Sequence, residues 1–145
     1  MENFHLYNTS LEWNEGRIGT LSGPGLDSFK VATPPEFEKG VPNIWSPEHL
    51  YVAALNACLM TTFLAIAENS KLNFETFRCV AVGKLGKVEG KFVISEVELN
   101  PQLVITYEKD KDRAQRIIEK SESNCLISNS VKTKIILSPE ISVKN

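Results

Sequence analysis

The organisation of this chain turns on one segment, Trp45-Ser46-Pro47-Glu48-His49-Leu50-Tyr51-Val52-Ala53-Ala54-Leu55-Asn56-Ala57-Cys58-Leu59-Met60-Thr61-Thr62-Phe63-Leu64-Ala65-Ile66-Ala67. Ser46-Pro47-Glu48 is a helix start. Serine can cap free N–H groups, proline has the φ of a first turn, and an acid suits the positive end of the helix dipole. The pattern predicts a helix running to about Ser70. From Leu50 to Ala67 it carries no charge, and Asn56, Thr61 and Thr62 are its clearly polar side chains. A run of about 18 apolar residues is at the short edge of a membrane span. No basic flank precedes it and well-patterned strands surround it. A central helix buried on most sides, in one core or across a subunit interface, therefore fits better than a span.

On the N-terminal side, Phe4 to Val31 alternates apolar and polar residues, with Gly16, Gly19, Gly23 and Gly25 as punctuation. This predicts two or three short strands joined by tight turns. Ala32 to Trp45 holds Pro34, Pro35, Gly40 and Pro42 and reads as an ordered loop. On the C-terminal side a hairpin is expected: one strand from Phe74 to Leu85, a turn over Gly86 to Gly90, and a second strand from Lys91 to Tyr107. Pro101 points to a bulge or an edge in that second strand. Asp110 to Asn124 reads as an amphipathic helix with Ala114, Ile117, Ile118 and Ser121 in one stripe. Val131 to Leu137 reads as a last strand. The class is α+β, with two main helices and two groups of antiparallel strands.

The 145 residues and 16.2 kDa suit a single domain over residues 1–145. Apolar residues make up 42% and charged residues 23%, which excludes a disordered or collagen-like chain. Lys and Arg number 16 against 18 Asp and Glu, with no dense basic run, so no nucleic-acid footprint is expected. Met1-Glu2-Asn3-Phe4-His5 lacks the basic-then-apolar order of a signal peptide, and the cytosol is the expected compartment. The cysteines number three, an odd count with no CxxC. Reduced thiols with individual roles are expected rather than a secreted disulfide scaffold.

Cys58 falls in the middle of the apolar helix beside Ala54, Ala57, Thr61 and Thr62. Read alone it is a small core residue, the common fate of a free cysteine. To react instead, it needs a nearby cation to lower its pKa, since the helix dipole fades within a turn of the N-terminus. Arg17, between Gly16 and Gly19, is a candidate for that cation, or a solvated surface arginine. Cys125 lies at the end of the second helix. If helical geometry persists it shares the face of Ala114, Ile118 and Ser121, which looks toward the first helix. Two cysteines on facing helices could form a reversible disulfide, which their separation neither requires nor forbids. Cys79 reads as structural. His5 and His49 have no ligand spacing with the cysteines, so no zinc site is expected.

Two of these stretches resemble the OsmC/Ohr family of bacterial peroxide-detoxification proteins. Ser46-Pro47-Glu48-His49-Leu50, followed by small residues and Ala57-Cys58, resembles the family's S/N-P-E-x-L and cysteine-bearing helix, with the glutamate ten residues before the cysteine. Cys125-Leu126-Ile127-Ser128-Asn129 is similar to the family's C-P-x-S-N, with Leu126 where proline is usual. The resemblance implies an OsmC-like fold, with antiparallel sheets around two main helices in an intertwined homodimer. It implies a thiol-dependent peroxidase that reduces organic hydroperoxides to alcohols and draws on an external thiol or dithiol. Cys58 would be the peroxidatic cysteine, Cys125 the resolving one, and Glu48 and Arg17 the site's acid and cation. No metal, flavin, nucleotide, nucleic-acid or membrane partner is implied. Ten helical residues amount to about 15 Å of rise and a rotation about 80° out of alignment, so a second subunit should bring Glu48 to the thiol. The alternative is a non-catalytic OsmC-like dimer that binds a small apolar ligand.

Overall fold

Three short antiparallel strands open the chain: β1 (Ser10–Glu15), β2 (Ile18–Gly23) and β3 (Leu26–Ala32), in the order β1-β2-β3. The computed structural model describes residues 3–145; Met1 and Glu2, the beginning of the N-terminal stretch read above, lie outside them. The chain divides into two compact units, Met1–Leu50 and Tyr51–Asn145.

In the first unit Leu11, Leu21 and Phe29 lie side by side across the three strands. The proline-rich segment after β3 has no regular structure. Its far end is tied back to the sheet, because the Ala32 N–H donates to the Trp45 carbonyl at 2.8 Å. The next residue, Ser46, is fully buried and caps the helix α1 (Pro47–Asn69). The His49 N–H donates to Ser46 Oγ at 3.1 Å, and His49 Nδ1 lies 2.7 Å from the same oxygen.

In the second unit a long hairpin, β4 (Phe74–Val88) and β5 (Lys91–Ile105), faces α1. Its turn is only Glu89-Gly90, both at positive φ (52° and 80°), which suits the twist of a two-residue hairpin. β4 therefore runs three residues beyond the predicted strand, and Gly86 belongs to it. Alternate residues of β5, Val97, Leu99, Leu103 and Ile105, point inward and are buried. Leu55 and Leu59 of α1 pack on Val97 and Leu99. Phe63 and Ala67 pack on Leu103 and Ile105 together with Ala114, Ile117 and Ile118 of α2 (Lys111–Ser123). The Phe63 ring stacks on Phe77 at 4.9 Å and meets Phe74 edge-on at 5.2 Å. Asn56 Nδ2 donates to the Cys79 carbonyl at 3.1 Å and ties α1 to β4.

Two details of the sheet differ from the sequence reading. The last strand is two, β6 (Lys134–Leu137) and β7 (Glu140–Val143), and both run parallel to β5, so the second sheet is not wholly antiparallel. Pro101 lies within β5 opposite Cys79 and is buried, and the register irregularities of the hairpin fall elsewhere. β6 pairs with Glu96–Leu99 and β7 with Gln102–Ile105, so Pro101 sits at the gap between them. A residue with no N–H is tolerated where the neighbouring ladder is broken.

α1 is long and apolar enough, by length and composition, to cross a membrane. One face, Leu55, Cys58, Leu59, Phe63 and Ala67, is buried in the chain. The other, Ala54, Ala57, Met60, Leu64 and Ala65, is exposed. Burial on most sides is thus not achieved within one chain.

Candidate active site

Cys58 and Cys125 are both free and buried, and each thiol acts on the ionisation of the other. α1 supplies the first. Cys58 is on its buried face, with Sγ 3.9 Å from Thr62 Oγ1 one turn on. The second comes from the turn that follows α2, not from the helix itself, which ends at Ser123. That turn is tightly held. The Cys125 N–H donates to Glu122 O at 3.1 Å, the Asn129 N–H to Cys125 O at 3.0 Å, and Ser130 Oγ to Leu126 O at 2.7 Å. The first N–H groups of a helical turn have no partner in the turn itself. Here those of Leu126 and Ile127 are directed at Cys58 Sγ.

This geometry splits the two thiols electrostatically. Burial is the strongest single influence on Cys58 and by itself would raise its pKa. The Cys125 thiol, the Ile127 N–H, the Thr62 hydroxyl and the Leu126 N–H act against it, and together they hold Cys58 below the ordinary thiol value. Cys125 is pushed up, first by burial and then by its role as donor toward Cys58, and only partly relieved by the side chain and N–H of Ser128. Cys58 is therefore the more acidic thiol of the pair and Cys125 the less acidic one. The cation that the sequence reading required is replaced, within this chain, by neutral donors.

Cys79 is in β4, as expected, and is pushed up to about 11, chiefly by burial. A thiol so rarely ionised is a poor nucleophile.

The other two expected site residues are in the first unit and do not form an ion pair with each other in the chain. Arg17 and Gly16 form the tight turn between β1 and β2, where Trp13 Nε1 donates to Gly16 O at 3.0 Å. Arg17 is exposed there, beside a cleft of about 510 Å³ that Lys39 and Val41 also line. Glu48 is in the first turn of α1, and its Oε1 is shut off from solvent with no hydrogen-bond partner among the described residues. Such a group costs free energy until something pairs with it.

Sequence reasoning passed over two residues at the thiol pair. Ser128, quoted above only as part of a motif, approaches Cys125, and Glu122 approaches Ser128. The three-residue steps from 122 to 125 to 128 across a helix end were the available signal. A separate hollow of about 560 Å³, lined by Tyr51, Val93, Ile94, Val131 and Thr133 among others, includes none of the cysteines.

An α+β fold that packs a cysteine-bearing helix on a hairpin, with a second cysteine against the first, defines a class of small thiol proteins. The sequence pattern of the OsmC-like protein family matches residues 40–140, and the chain belongs to that family. It is 26% identical over 149 residues to the uncharacterized protein YmaD of Bacillus subtilis (strain 168), covering 99% of this chain and 97% of that one. An OsmC-like protein of unknown function, VCA0330 of Vibrio cholerae, superposes with a TM-score of 0.87 at 26% identity, over 94% of this chain and all of its own. An organic hydroperoxide resistance protein from Elizabethkingia anophelis shares the fold with a TM-score of 0.78 at 24% identity, over 99% of this chain and 100% of that one.

Proposed function

We propose that this protein is a thiol-dependent peroxidase that reduces organic hydroperoxides to alcohols. The observation that carries the reading is the apposition of Cys58 and Cys125 with opposite shifts, one thiol held low and the other high. That is the division of labour between a thiol that attacks first and one that waits. The family's inclusion of organic hydroperoxide resistance proteins supports the same reading.

The Cys58 thiolate attacks the O–O bond of the hydroperoxide. It becomes a sulfenic acid, and the alkoxide leaves and is protonated to the alcohol. Cys125 then attacks Cys58, water departs, and a disulfide remains for an external thiol or dithiol to reduce. Arg17 and Glu48 act on the peroxide across a homodimer. The buried Glu48 oxygen without a partner awaits a cation, and a guanidinium so held can stabilise charge on the departing oxygen. Leu55, Leu59 and Phe63 share the buried face of α1 with Cys58 and give an apolar setting that favours organic over hydrogen peroxide.

Intact mass before and after one equivalent of tert-butyl hydroperoxide tests the reading. The native chain should lose two hydrogens, the Cys125→Ser variant should gain one oxygen, and Cys58→Ser should do neither and show no turnover. Full activity in Cys58→Ser overturns it. No mass change in any form would favour a non-catalytic dimer that binds a small apolar ligand.

A further inference from the structure

Lys39, in the proline-rich loop after β3, has no part in the scheme above, yet it lines the same cleft of about 510 Å³ as Arg17. The two basic residues reach that cleft from separate pieces of backbone, each held by hydrogen bonds. Arg17 follows Gly16, which has φ 52° and whose carbonyl accepts from Trp13 Nε1 at 3.0 Å. The loop that carries Lys39 closes on itself. The Phe37 N–H donates to Pro34 O at 3.1 Å, the Gly40 N–H to Phe37 O at 2.9 Å, and the Val41 N–H to Thr33 O at 2.8 Å. Gly40 is packed so closely that a Cβ there would strike the Pro34 carbonyl. Within this frame Lys39 has φ 62°, the left-handed region that a lysine seldom adopts. Such backbone persists where its surroundings impose it, and it clusters at ligand clamps.

The charges in the cleft are unspent. Neither the Arg17 guanidinium nor the Lys39 ammonium makes a hydrogen bond or an ion pair among the described residues. Glu15 is the acid in the lining, so the cations outnumber it. Ile18 and Val41, both half-buried, supply an apolar wall. Two unpaired cations beside an apolar wall complement an organic anion, and they complement neither a cation nor a neutral molecule of the same shape.

We propose that this cleft binds a small organic carboxylate, its head group taken by Arg17 and Lys39 and its apolar body laid on Ile18 and Val41. A guanidinium offers a carboxylate two parallel donors, and the ammonium adds a point charge from the loop. Both stand on backbone that is fixed before the ligand arrives, which lowers the cost of ordering the site. The cleft is far larger than an inorganic oxyanion and leaves room for the apolar body. Every residue of the site lies in one chain and in its first unit. A carboxylate held there also occupies the guanidinium that the peroxidase reading assigns to the peroxide, so it competes with turnover; this consequence alone rests on that reading.

Titration of the full-length protein with benzoate, followed by amide chemical shifts, tests the site without any peroxide. The amides of Gly16, Ile18 and Val41 should move and saturate. Benzyl alcohol, the neutral counterpart, should leave them in place, and inorganic phosphate should bind more weakly than benzoate. Lys39→Asn removes the charge while asparagine tolerates the left-handed backbone, and it should weaken benzoate about 10-fold, the size of one charge-assisted contact. Arg17→Gln should do at least as much, and either variant suffices should the other fail to fold. Equal affinity in native and variant proteins overturns the proposal, as does equal binding of benzyl alcohol or a phosphate affinity that matches benzoate. In turnover, benzoate should inhibit the native protein, and Lys39→Asn, with native basal activity, should need about 10-fold more of it. Saturable, Lys39-dependent benzoate binding in a protein that shows no turnover at all overturns the peroxidase reading and leaves the site standing.

Discussion

A thiol halfway along a helix gets no help from the helix's N-terminal field, and burial works against its ionisation. Cys58 overcomes both by facing a second short turn end-on, whose leading amides belong to Leu126 and Ile127. Alkylation of the three cysteines as a function of pH, followed by peptide mass, should therefore give three separate midpoints. Cys58 should titrate below the ordinary 9.0, Cys125 above it, and Cys79 at about 11. Leu126→Pro removes one donor while restoring the residue usual in the family's motif, and should move the Cys58 midpoint up without affecting that of Cys79. An unmoved Cys58 midpoint would show that the Leu126 N–H contributes nothing. The positions of Cys58 and Cys125 were legible in the sequence because motif and spacing pointed to them. The donors were not, because backbone N–H groups leave no trace in residue identity and only the fold reveals which of them are free.

Among the elements, α1 was the most legible, since its start is written in side chains. Ser46 makes the capping contact that its sequence position suggested, and it is fully buried. Ser46→Ala should cost about 1 to 2 kcal/mol, read from denaturant unfolding with an unchanged m-value. The hairpin was legible in existence but not in length, because Gly86 looks like a turn residue and is a strand residue under tertiary constraint. Close approach explains another of its glycines. A Cβ at Gly83 would lie 2.5 Å from Val52 Cγ2 of α1. Valine is stiff at χ1 in a helix, so it cannot swing aside cheaply. Gly83→Ala should destabilise by about 1 to 3 kcal/mol through overpacking, and thermal unfolding would register it. A neutral substitution would mean that α1 shifts away from the sheet without cost. β7 and the parallel pairing of β6 were not legible. Four-residue strands carry too little periodicity to read, and the direction of pairing depends on chain connections that local pattern does not encode.

At the scale of the whole molecule, one chain leaves unfinished work. The face of α1 that carries Ala54, Ala57, Met60 and Leu64 is open, with Leu64 41% exposed, and β4 presents Val80 and Val82 at 56% each. Soluble chains rarely leave apolar groups of this kind uncovered. The uncharged run from Leu50 to Ala67 is what the sequence offered, and a second copy of the chain is the occupant it was expected to meet. The protein should sediment at twice 16.2 kDa. Leu64→Glu is the informative variant because its side chain is partly open in a single chain, where a carboxylate would be tolerated. In a dimer the same carboxylate would be buried without a partner, a cost of several kcal/mol. Sedimentation should then fall to 16.2 kDa. Peroxidase turnover should fall with it if, as proposed, Glu48 acts on the peroxide across the interface. The Cys58 alkylation midpoint should stay low, because every donor that lowers it lies in its own chain. Loss of turnover together with a retained low midpoint would separate what one chain does, which is to prepare the thiolate, from what two chains do, which is to place the peroxide. An unchanged mass in Leu64→Glu would exclude this face of α1 from the interface.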